Sequence, residues 1–106
     1  MIKRIWHGYT TPESADIYES LLKAEVIKGI EKKKIEGFRK IEVLRRPMGE
    51  EVEFITIMEF DTIESVKAFV GDDYEQCYVP EEARRVLKRF DERSQHYELR
   101  DCRAYD

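Results

Sequence analysis

The chain has 106 residues, 42% hydrophobic and 40% charged, and its 19 Lys and Arg stand against 23 Asp and Glu for a net charge of −4. That length fits one domain with one core over residues 1–106, and the apolar content lies outside the disordered range. The acidic balance offers no basic face to nucleic acid, no apolar run approaches the roughly 18 residues of a membrane span, and the opening MIKRIWHGYT reads as a strand rather than a signal peptide, so a cytoplasmic protein is expected.

Residues 2–10 carry apolar or aromatic side chains on both alternating sets, Ile2, Trp6 and Gly8 on one and Ile5, His7 and Tyr9 on the other. A strand of that kind is central and covered twice. Thr10-Thr11-Pro12-Glu13 then starts a helix. Its stripe of Ala15, Tyr18, Leu22 and Val26 runs to about residue 28, with Gly29 as C-cap. The charge run Glu31-Lys32-Lys33-Lys34 reads as a solvated connection.

Gly37 to Phe60 forms the organising stretch, two strand-like runs around Pro47-Met48-Gly49-Glu50. The first, 38–46, mixes apolar and charged residues as an edge strand does. The second, 51–60, again has two apolar sets, Val52, Phe54, Met58 and Phe60 against Ile55 and Ile57, which makes it central. Asp61 or Thr62 caps a second helix that buries Val66, Phe69 and Val70 and ends at Gly71. An acidic loop follows. Pro80-Glu81-Glu82 opens a third helix whose Ala83, Val86, Leu87 and Phe90 face inward, and the chain returns as a strand over about 91–100.

The order is β-α-β-β-α-β with the second helical region split. It implies an α+β, ferredoxin-like fold: a four-stranded antiparallel sheet with helices on one face. Right-handed crossovers place the first and third strands together at the centre, in parallel, with the second and fourth at the edges. Helices cover one face only, yet the central strands are apolar on both, so a homodimer joined sheet to sheet is expected.

Several stretches together resemble the antibiotic biosynthesis monooxygenase-like family of dimeric α+β barrels. They are the Trp6 strand, the Glu36-Gly37-Phe38 lead-in, Arg45-Arg46, Glu53-Phe54 through Phe60, Phe69 through Asp73-Tyr74-Glu75, Phe90 to Arg93, and His96-Tyr97-Glu98. The resemblance spans nearly the whole chain, with Glu36 where the family has proline. It implies a cofactor-independent monooxygenase-like enzyme acting on a small aromatic or quinone-like molecule. The alternatives are a non-catalytic small-ligand-binding or stress-related module and, third, a haem-binding or haem-degrading protein.

Such an oxygenase needs an apolar pocket and a polar group that deprotonates or orients a phenolic substrate. Trp6, Phe54 and Phe69 are candidate walls, with core filling as the competing role. The two histidines, His7 and His96, lie on strands that the topology makes antiparallel neighbours. With Glu98 they supply the residue types of a facial metal triad, but no HxH or HxxxH spacing supports one and no metal or cofactor is expected. His96 is the candidate proton-handling or haem-ligating residue, set against a plain edge or interface histidine. Tyr74, in the loop after Gly71, is a candidate ligand contact or a loop anchor. Arg46, beside Arg45, is a candidate for an acidic substrate or a solubilising edge charge. The expected catalytic residues are thus His96, Tyr74 and Trp6, and the substrate-binding residues Phe54, Phe69, His7 and Arg46. Cys77 and Cys102 fit no zinc or disulfide pattern and are expected to be free thiols.

Overall fold

A computed structural model describes all residues, 1–106. β1 (Ile2–Thr10) leads through a 3₁₀ turn, in which Thr11 Oγ1 accepts from Ser14 N–H, into α1 (Ala15–Leu21). A π-helical turn, Leu22–Val26, joins α1 to α2 (Ile27–Lys32), so the helical segment passes through Gly29 instead of ending there. The reason is Ile30, 4% exposed, which continues the buried i, i+4 stripe of Leu22 and Val26. Burying one more large aliphatic side chain contributes about 1.5–3 kcal/mol, against about 0.5–1 kcal/mol lost by glycine inside a helix.

β2 (Phe38–Met48) and β3 (Glu51–Phe60) form the expected hairpin, bulged at Arg39. α3 (Ile63–Val70) is capped by Thr62, whose Oγ1 accepts from Ser65 N–H, and stops at Gly71, whose φ of +97° favours glycine. α4 (Glu81–Val86) follows. The last strand position is broken into β4 (Arg89–Phe90), beside Gly8 and Tyr9, and β5 (Gln95–Glu98), beside Ile2 to Ile5. Phe90 therefore belongs to a strand and not to the third helix. Between the two pieces the chain turns to the 75–77 loop, where Cys77 N–H donates to Glu92 O and Ser94 N–H to Glu75 O.

The sheet order is β2-β3-β1, with β4 and β5 sharing the far edge, so β1 and β3 are central as expected. They run antiparallel, not parallel. The helical crossover returns β2 in the direction of β1, and the hairpin then reverses β3 and seats it between them. Even-numbered β1 residues face the helices, with their β3 partners Met58, Thr56, Phe54 and Val52. Tyr18 packs edge-on to Phe54 at 4.8 Å and Phe60 stacks on Phe69 at 6.0 Å.

Gly8 is required by a close approach: a Cβ there would lie 2.4 Å from the Trp6 ring. The ring lies over that gap, and its Nε1–H donates to Asp91 O at 2.9 Å.

Candidate functional site

Between the inner sheet face and the helices lies a pocket open to solvent. β1 supplies Arg4 and Trp6, β3 Thr56 and Met58, the first helical segment Tyr18 and Leu22, and α3 Phe69; the 78–83 segment and Ser94 close the wall. Counting its mouth, it encloses about 460 Å³ free of protein atoms, of which about 40 Å³ can hold the centre of a water molecule. That interior has room for a few waters, so an aromatic ring enters only by displacing side chains at the mouth.

The wall is mostly apolar, and Tyr18, Thr56 and Ser94 are among its hydroxyl-bearing residues. Burial pushes the Tyr18 phenol well above its ordinary range, so it acts as a neutral donor.

Arg4 is the charged group of this wall and is only 3% exposed. Its Nη1 donates to Tyr74 O at 2.6 Å and to His96 Nε2 at 3.0 Å, and its Nη2 to Gln76 O at 2.7 Å. The 74–76 loop is thus oriented so that two peptide carbonyls solvate the guanidinium. Burial lowers the Arg4 pKa to about 10, which leaves it cationic at neutral pH.

An arginine N–H can only donate, so His96 Nε2 accepts; the neutral ring then carries its proton on Nδ1. Burial first, and the Arg4 charge second, hold the His96 pKa down at about 4. Nδ1 is buried without a partner, and the ring meets Tyr74 edge-on at 5.1 Å.

The expected site residues separate accordingly. Trp6 and Phe69 line the pocket. His96 and Tyr74 stand behind Arg4 rather than in the wall. Phe54 is fully buried against Tyr18 and does not reach the pocket. His7 and Arg46 lie on the other face of the sheet, where His7 Nδ1 meets Asp91 Oδ2 at 3.1 Å and Arg46 Nε donates to Glu53 Oε1 at 2.6 Å. β1 and β5 are antiparallel neighbours as expected, but His96 is registered with Arg4, which puts the two histidines on opposite faces. The triad of His7, His96 and Glu98 is therefore not assembled, and no group of three or more His, Cys, Asp or Glu side chains is placed to hold a metal. His96 does not present a free haem ligand in this arrangement either: its Nε2 is engaged by Arg4 and its Nδ1 is buried.

Arg4 is the residue that sequence reading missed. Its signal was a lone charge on the Ile2, Trp6, Gly8 set of a strand apolar on both faces.

No family profile matches the sequence, and no curated protein does. The fold does match solved structures. A Bacillus cereus protein described as a candidate antibiotic biosynthesis monooxygenase superposes with a TM-score of 0.70 at 16% identity, covering 100% of this chain and 97% of that one. Rv0793 from Mycobacterium tuberculosis gives 0.63 at 14% identity, covering 97% of this chain and 98% of that one. At these identities the likeness is one of fold, and it is the fold that the sequence resemblance implied.

Proposed function

We propose that the chain is a cofactor-independent monooxygenase-like enzyme that oxidises a small aromatic or quinone-type molecule in the pocket between sheet and helices. The observation that carries this reading is the pocket itself: an apolar chamber whose polar lining residues include Arg4, Tyr18, Thr56 and Ser94, in a fold shared with a protein described as a candidate antibiotic biosynthesis monooxygenase. In this chemistry the ring supplies all the electrons. A ring C–H ortho or para to the hydroxyl, a CH₂ in the keto tautomer, and O₂ become a carbonyl and water, and the protein's task is to exclude water, hold the ring and favour its ionised form. Trp6 and Phe69 are positioned to hold the ring. His96 and the Tyr74 carbonyl act on Arg4, as positioning groups.

The working unit is proposed to be a homodimer through the open sheet face. There Ile5, Ile55, Ile57 and Leu44 form an apolar centre, and the charges around it are paired within the chain: Lys3 with Glu59, Arg46 with Glu53, and Arg89 with Glu51.

Oxygen uptake with a panel of hydroquinones and naphthols, followed by an electrode, tests the reading. Uptake that is lost in Trp6→Ala and reduced in His96→Ala is expected. Ring compounds that bind with no uptake would replace it with the second reading, a ligand-binding module, which the engaged Nε2 of His96 favours because that nitrogen is not free to take a proton.

A further inference from the structure

The sharpest imbalance in the molecule is at Arg4. Seven other arginines, at 39, 45, 46, 85, 89, 93 and 103, each pair with a carboxylate. All seven of those arginines have exposed side chains, where such a pair contributes little. Arg4 is the most buried guanidinium, and every acceptor it has is neutral. No acidic side chain lines the pocket, and the nearest acidic residue of the adjoining loop, Glu75, pairs with Arg93. A buried charge without a counter-charge is costly, and the protein supplies Arg4 with peptide and imidazole dipoles and the face of the Phe69 ring, 5.6 Å from Cζ, but with no anion.

Of the five guanidinium N–H groups, three are engaged. The Nε–H has no acceptor in the protein and, unlike Thr10 Oγ1 and His96 Nδ1, is not sealed in the core. The Nε and Nη2 edge is the one Arg39 and Arg89 present to the two oxygens of Asp61 and Glu51. In Arg4 that edge is only half used, by Gln76 O on Nη2.

Building on the ligand-pocket reading, we infer that the pocket takes its ligand as an anion, with one negatively charged oxygen group of a small ring compound, an ionised ring hydroxyl or a ring carboxylate, seated on Arg4. The ligand supplies the missing counter-charge, and Arg4 in turn holds a phenol in the ionised form.

The chain's single tryptophan, Trp6, is in the pocket wall, so quenching of its fluorescence reports occupancy. Nitrobenzene, 4-nitrophenol and 4-nitrobenzoate share one ring and differ in charge. At least one of the two ionisable probes should bind about tenfold or more tightly than nitrobenzene, the scale of one charge-assisted hydrogen bond. Which is tighter distinguishes hydroxyl from carboxylate. A preference for the hydroxyl also turns bound 4-nitrophenol yellow below the pH at which it ionises in water. Arg4→Met should abolish the preference to within about twofold, with the ionisable probe losing far more affinity than nitrobenzene. Where Arg4→Met does not fold, Arg4→Lys keeps the cation without the fork and should weaken the carboxylate arm.

Binding of all three probes with equal strength overturns the inference and leaves the ligand pocket standing. So does a preference that survives Arg4→Met, or an equal loss for all three probes in that variant, which marks Arg4 as a scaffold for the 74–76 loop. Absence of quenching by any probe overturns both the inference and the pocket reading.

Discussion

The two faces of the sheet handle charge in opposite ways. On the open face the charged side chains meet opposite charges in the plane: Lys3 and Glu59 at 2.7 Å, Arg46 and Glu53 at 2.6 Å, Arg89 and Glu51 at 2.8 Å. What remains for an outside partner is a centre of isoleucine and leucine with no net demand for a counter-ion. On the helix face there is one buried cation, Arg4, with carbonyls and a neutral imidazole around it and a cavity beside it. A face with its charges paired suits a protein surface. A face with a cation left over suits a small anion.

The largest effect that separates the faces is expected from Ile55→Asp. By two-fold symmetry it places a carboxylate from each copy at the apolar centre, where Lys3, Arg46 and Arg89 are already paired with carboxylates, so sedimentation at micromolar concentration should show the mass of the dimer halved while the circular dichroism is retained. A dimer that survives moves the interface elsewhere.

Gly8→Ala acts on the other face. Its methyl would meet the Trp6 ring within 2.4–2.8 Å, and the ring must move toward the pocket. A loss of about 1–3 kcal/mol in denaturant unfolding is expected, with a shifted Trp6 emission and an unchanged dimer mass.

The faces should also separate by pH. His96 binds its proton at about 4 in the folded chain against 6.5 when unfolded. In that window the unfolded chain takes up the proton first, so stability falls as the pH drops from 6.5 toward 4. Glu51, held by Arg89 first, is lowered from 4.5 to about 2, so its share persists to lower pH and is lost between those values. Denaturation midpoints measured across both windows should flatten in the upper one for His96→Leu and in the lower one for Glu51→Gln. These are the smallest effects, and that for Glu51 is reduced further by salt.

How legible each face was in the sequence follows from local against non-local causes. The two central strands were visible because Ile5, Ile55 and Ile57 break the alternation that a one-sided strand would show. The Thr62 cap and the Gly71 stop are local chemistry and could be found in four residues. The continuation past Gly29 was hidden because it depends on what Ile30 meets after folding. The partnership of Arg4 and His96 depends on strand register, and a one-residue slip would have exchanged His96 for its neighbours on the other face. The contribution of Tyr74 was hidden for another reason: its carbonyl, rather than its ring, contacts Arg4, and side-chain patterns carry no record of backbone acceptors.

The most direct measurement is a crystal of the protein soaked with 4-nitrophenolate and 4-nitrobenzoate in separate experiments. Density for a ring between Trp6 and Phe69, with its charged oxygen within hydrogen-bond distance of Arg4 Nε or Nη2, is the expected result. Density confined to the open sheet face, or a ring in the pocket with its charged group turned away from Arg4 toward solvent, would contradict it.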